Sequence, residues 1–118
     1  PRMEYEPTDL FAALADPTRL RLLMLLTRAP SLCVCHLVDA LQEPQPKLSK
    51  HLGVLREMGL VSDERRAQWV HYSLKGDLPG WVGQVIEAAA LSAEGQAPFK
   101  KDAARLEKRL SASCTKAA

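Results

Sequence analysis

Apolar positions recur at helical spacing along most of the chain and switch once, briefly, to alternation. Leu10, Phe11 and Leu14 fall on one side of a first short helix, which Thr8 is placed to cap. Residues before Thr8 show no such pattern and are expected to be loose. Asp16-Pro17 is a strong helix start, a capping Asp followed by Pro in the first turn. That helix continues to about Thr27 through Leu20, Leu22, Leu23, Met24, Leu25 and Leu26. It is apolar on nearly every face, which marks it as the buried centre of the domain. Arg19 and Arg21 interrupt it and are expected to snorkel to the surface.

Ala29-Pro30-Ser31 then breaks the chain. Val34, Leu37, Val38 and Leu41 form one helical stripe, and Leu48, Leu52, Leu55 and Leu60 form another, with a tight proline-containing turn between. Pro46 suits the first turn of the second helix, and Met58-Gly59 stops it. The period changes to 2 between Val61 and Leu74, where Trp69, His71 and Ser73 alternate with Val70, Tyr72 and Leu74. This predicts a β-hairpin with Glu64, Arg65, Arg66, Ala67 and Gln68 at its tip. Helical spacing returns after Asp77-Leu78-Pro79 with Trp81, Val82, Val85, Ile86 and Ala89.

Ala93 to Pro98 reads as a linker, and Phe99 to Ser111 as a frayed helix with Ala103, Leu106 and Leu110 on one side. The last residues, Cys114 among them, are expected to be mobile. The pattern predicts a mainly α protein with a small β-hairpin. Residues 1–92 form one domain, and residues 93–118 a linker and part-helical C-terminal tail.

Two short helices joined by a tight turn, followed by a hairpin, make a winged helix-turn-helix. The second helix carries Gln45, Lys47, Ser49, Lys50 and His51 away from its apolar stripe, a polar and cationic face suited to a major groove. Arg65 and Arg66 on the wing are placed to reach phosphates or a minor groove. The formal net charge of +2 over 118 residues does not by itself argue for nucleic acid. Its distribution does: between Gln45 and Lys75 the cations Lys47, Lys50, Arg56, Arg65, Arg66 and Lys75 face only Glu57, Asp63 and Glu64. No nucleophile, base and acid come together, and no glycine-rich phosphate loop occurs, so an enzyme is not expected. With no signal peptide and no apolar run long enough to span a membrane, a cytoplasmic protein without a membrane partner is expected.

Cysteine adds the remaining chemistry. Three residues, an odd number, argue for metal binding or redox sensing over a structural disulfide in a reducing compartment. Cys33 and Cys35 lie at the start of the first helix of the DNA-reading pair, where the helix dipole is expected to favour thiolate. In a regular helix, thiolates at i and i+2 point about 200° apart. They share one ion only if the stretch is extended or unwound. The bland alternative is a pair of small buried hydrophobes.

The stretch LCVCHLVDALQEPQPKLSKHLGVLREMGLV resembles the arsenical-resistance repressors of the ArsR/SmtB family. These show an L-C-V-C-D-L core followed by Q-P-K, Ile or Leu, Ser, Arg or Lys, and H-L. The likeness runs from about Leu10 to about Ala90. It implies a homodimer on double-stranded operator DNA, paired through the first and late helices, with Leu10, Phe11, Leu14, Trp81, Val82, Val85, Ile86 and Ala89 at the interface. It implies trivalent arsenic (arsenite or methylarsenite) or antimony as inducer, ligated by Cys33 and Cys35, and no organic cofactor.

Members of this type carry a further Cys where this chain has Val38, so Cys114 is the remaining candidate for a third ligand. His36 stands where Asp is usual. Other metal sites of the family lie on the late helix as Asp/His pairs, and between Pro79 and Ser92 this chain offers only Glu87. Two other classes stay open: a repressor responding to oxidation of Cys33 and Cys35, and a metal-carrier or interaction module on the same fold.

Overall fold

A computed structural model describes residues 6–117, with side chains through residue 111. The expectation of loose residues before Thr8 falls largely outside that range. Six helices and three strands are seen among the described residues: α1 (Pro7–Ala15), α2 (Pro17–Leu26), β1 (Leu32–Cys33), α3 (Val34–Leu41), α4 (Gln45–Glu57), β2 (Val61–Arg66), β3 (Trp69–Leu74), α5 (Gly80–Ala93) and α6 (Phe99–Ala117).

The central helix forms as its pattern requires. Asp16 adopts extended φ/ψ at the N-cap, and its side chain accepts from the Arg19 N–H at 3.0 Å. Leu22 to Leu26 are all buried. The remaining elements close around them, with Leu10 from α1, Leu37 and Leu41 from α3, Leu48, Leu52 and Leu55 from α4, Val82 and Ile86 from α5 and Leu106 from α6.

Helix α4 ends on Gly59, at φ 82°, where Leu60 donates to the Leu55 carbonyl at 3.0 Å and Gly59 to Arg56 at 2.9 Å. The turn between α3 and α4 begins at Gln42, which takes the left-handed conformation at φ 57° without being glycine. Its Nε2 donates to the Asp39 carbonyl at 2.7 Å, a local bond that helps hold this conformation.

Several expectations are corrected. Thr8 does not cap α1; the helix starts two residues earlier than a Thr8 cap would place it, with Pro7 in its first turn and Glu6 at the N-cap position. Arg21 does not snorkel. Its side chain is 14% exposed and makes a two-pronged bond to Asp102 of α6, Nε to Oδ2 at 2.8 Å and a terminal nitrogen to Oδ1 at 2.9 Å. Helix α6 packs along α3 and α2, and Leu106 lies within the core.

The sheet also has one strand more than the hairpin foreseen. Leu32 and Cys33 pair antiparallel with Tyr72 and His71, giving the order β1-β3-β2. Glu64, Arg65 and Arg66 belong to β2, so the hairpin loop is only Ala67-Gln68. Ala67 sits at φ 57°, where a Cβ is unfavourable.

Asp16→Ala should lower stability by about 1 kcal/mol, the usual value of an N-cap side chain. The backbone hydrogen bond from Arg19 holds the Asp16 carboxyl below its ordinary pKa. A depressed carboxylate pKa contributes stability that is present above the unfolded value and lost as pH falls through the folded one. Urea midpoints for the two proteins should therefore differ at neutral pH and converge in acid.

Candidate DNA-reading unit and thiol site

Helix α4 buries Leu48, Leu52 and Leu55 and turns Gln45, Lys47, Ser49 and Lys50 outward. His51 departs from the expected set. At 100° per residue it borders the buried stripe, and its ring faces inward, 3.8 Å from Asp16 Oδ2 and 3.5 Å from a terminal nitrogen of Arg19. Its surroundings are the junction of α1 and α2, so it supports the fold under the reading helix rather than facing outward with Lys50.

The exposed cations differ in how freely they can act. Lys47 pairs with Glu43 at 3.1 Å, Arg56 with Asp63 at 3.0 Å and Arg66 with Glu64 at 3.2 Å. The Arg56–Asp63 pair ties the end of α4 to the first wing strand. Among the described residues no acid pairs with Lys50 or Arg65, which leaves both available to an external anion. Arg65 and Arg66 are consecutive in β2 and so point to opposite faces of the wing.

At the other end of the unit, Cys33 is at once the last residue of β1 and the N-cap of α3, with φ −68° and ψ 148°. Extended backbone at Cys33 swings its side chain to the same side as that of Cys35. The sulfurs lie 2.8 Å apart, with the Cys35 thiol donating to Cys33. The Cys33 sulfur also accepts from the Cys35 N–H at 3.3 Å, and His36 Nδ1 accepts from the Cys33 N–H at 3.2 Å. The helical divergence of about 200° therefore does not arise.

The low thiol pKa expected from the helix dipole is overturned for Cys35. Burial, helped by the hydrogen bond and charge of Cys33, pushes it up to about 11, against a smaller downward pull from Arg109. Burial likewise lowers the His36 pKa, so its ring stays neutral and able to accept. Cys114 is carried by α6, but its side chain lies outside those described. Among the described residues no group of three or more His, Cys, Asp or Glu is arranged to hold a metal ion.

The proposed interface residues separate by exposure. Leu10, Val82 and Ile86 are already covered by this chain's own core and offer no surface to a partner. Leu14, Val85 and Ala89 are half-buried, and Phe11 and Trp81 are 54% and 38% exposed. Leu91, outside the expected stripe, is 74% exposed on α5.

Residues 16–63 match the family described as "Bacterial regulatory protein, arsR family". The arsenical resistance operon repressor of Escherichia coli K12 is 47% identical over 83 residues, 70% of this chain and 71% of that one. The chain belongs to the ArsR family. Two solved structures of this type are similar across 76% of the chain. Reduced HlyU from Vibrio cholerae has a TM-score of 0.65, 33% identity and 90% of its own length covered. The AntR antimony-specific transcriptional repressor has 0.63, 30% and 81%. Like other ArsR-family proteins the chain is a DNA-binding transcriptional repressor on a winged helix-turn-helix, and the relatives it matches are transcriptional regulators. Among the described residues no helix is long and apolar enough to cross a membrane.

Because the thiolate is the reactive form, Cys35 should be alkylated slowly at neutral pH. Its rate should rise about tenfold per pH unit until the pH approaches 11. Iodoacetamide labelling located by tandem mass spectrometry would show this. A rate at pH 7 equal to that of an unfolded peptide would contradict it.

Proposed function

We propose that this ArsR-family repressor binds operator DNA as a homodimer and lets go when trivalent arsenic or antimony is ligated by Cys33 and Cys35. The observation that carries the reading is the pair of adjacent sulfurs at the residue where β1 becomes α3. Two soft donors already turned to one side match a soft, thiophilic acceptor and suit a hard oxygen-seeking cation poorly. The names of the similar repressors, one of arsenical resistance and one specific for antimony, support the same class of inducer. Cys114 is retained as the candidate third ligand.

In this reading Gln45, Lys47, Ser49 and Lys50 of α4 enter the major groove, and Arg65 and Arg66 of the wing meet the backbone or minor groove. Phe11, Leu14, Trp81, Val85 and Ala89 supply the exposed part of the dimer surface. A two-fold dimer then spans half-sites about 34–36 Å apart.

Release needs no wholesale unwinding of α3. Ligation would engage the sulfur that now caps the helix, each thiol passing its proton to a hydroxide that leaves arsenite as water, so that Cys35 would no longer donate to Cys33. The first turn of α3 loses its acceptor, and Cys33 is also the residue through which β1 holds His71 of the wing. Both halves of the DNA-reading unit are thus attached to the ligand atom. To move bound DNA from 99:1 to 1:99, the inducer must favour the released state by about 5.5 kcal/mol.

Operator binding followed by fluorescence anisotropy, titrated with arsenite, antimonite, methylarsenite, zinc and peroxide, tests the reading. Cys33→Ser and Cys35→Ser should each keep DNA binding and lose release by arsenite, and a Cys114→Ser protein that is fully inducible would exclude that thiol. Release of the Cys33→Ser/Cys35→Ser protein at an unchanged arsenite concentration would sink the mechanism.

The DNA face has its own test. Lys50→Ala should weaken operator binding by about 1–3 kcal/mol if Lys50 reads a base. A sedimenting species of 13.0 kDa at micromolar concentration would rule out the dimer.

A further inference from the structure

Asp102 is the one buried acid among the described residues, at 1% exposure, and it lies on α6, far in sequence from the DNA-reading unit. Its Oδ1 accepts from Arg105 at 3.0 Å as well as from Arg21. Each arginine spends a further donor on the last turn of α3. Arg21 donates to the Leu41 carbonyl at 2.9 Å, and Arg105 Nε donates to the Ala40 carbonyl at 2.7 Å.

These carbonyls stand where a helix runs out of internal donors. Immediately afterwards Gln42 turns left-handed and starts the short connection to α4. Arg21 also reaches Glu43 within that connection, at 3.5 Å, and the other oxygen of Glu43 holds Lys47 at the start of α4. One carboxylate therefore orients two cations, and those cations define where α3 ends and from what direction α4 departs. A buried ion pair contributes little net stability compared with apolar packing, and its best-attested use is to select one geometry over its neighbours.

We propose that Asp102 is a positioning residue for DNA recognition: by holding Arg21 and Arg105 on the carbonyls of Leu41 and Ala40, it fixes the angle between α3 and α4 and hence operator specificity, without touching DNA. The inference rests on reading α4 as the recognition helix. Its signature is selective. Every surface cation is kept when Asp102 changes, so non-specific, phosphate-driven binding should persist while discrimination falls.

The experiment measures affinity for operator and for unrelated duplex at one salt concentration, on proteins shown to be folded by circular dichroism. Asp102→Asn should lower the ratio of operator to non-specific affinity by about tenfold, the scale of one mismatched base pair. Arg105→Gln, at a more exposed position that does not endanger folding, should lower the ratio by about threefold or more, and Arg105→Lys should recover most of it. A ratio within about twofold of the parent protein for every folded variant would overturn the proposal. If Asp102→Asn does not fold, Arg105→Gln decides alone. Lys50→Ala runs beside them: if it leaves operator binding intact, the assignment of α4 falls, whereas the ratios of the Asp102 and Arg105 variants still judge the positioning role.

Discussion

The amides at the start of α3 need acceptors, and the chain supplies one with sulfur. Oxygen side chains are the common N-caps. Here a thiol accepts from the Cys35 N–H, and an imidazole nitrogen returns the favour at the Cys33 N–H. Because an N-cap residue has extended backbone, Cys33 can also be paired in a sheet, and it is, opposite His71. The wing, the first helix of the DNA-reading pair and the thiol pair thus converge on one residue. Sulfur is a weak hydrogen-bond acceptor, so the cap it provides is easily exchanged for a stronger bond to something else.

A second constraint works from the opposite end of α3. The central helix is apolar on nearly all sides, yet Arg21 lies within it, and a guanidinium cannot lose its proton to escape burial. It must be neutralised where it stands, and the partner comes from α6. This explains why a helix with a mostly polar sequence is drawn onto the body of the protein instead of trailing from it. Leu106 and the half-buried Leu110 cover α3 and α2 from that side, and Arg109 reaches across to Asp39.

Much of this was legible in the residues. The helical stripes, Asp16-Pro17, Met58-Gly59 and the alternation from Trp69 to Leu74 each express a local rule that tertiary structure left standing. The polar face of α4 was legible for the same reason, since helical spacing fixes direction, whereas the thiols come together only because Cys33 stands outside the helix as its extended N-cap. What escaped was non-local. Two residues, Leu32 and Cys33, are too few to show a strand period, and only their partners on β3 make them a strand.

Arg21 looked like a surface residue because nothing nearby in sequence neutralises it, and the acid that does lies 81 positions away. Asp102 and Arg105, three apart on α6, were the available hint. His51 follows Ser49 and Lys50 in sequence, yet helical spacing puts it beside Leu48 and Leu55, at the border of the buried stripe. The Cys35 pKa ran against the dipole expectation because desolvation outweighed it.

The two-residue strand has a consequence for the protein's behaviour among its own copies. A hairpin alone is marginal in water and presents two open edges. With β1 in place, β3 becomes the middle strand, and its hydrogen-bonding groups are occupied on both sides along Tyr72 and His71. The longest edge left bare on the wing is β2, which reads Asp63, Glu64, Arg65, Arg66 in its outer part, beside the Trp69-Val70 end of β3 that β1 does not reach. Charges of both signs on a short strand discourage another chain from adding itself there. The wing can therefore extend into solvent, ready for a polyanion, without serving as a template for strand-to-strand polymerisation.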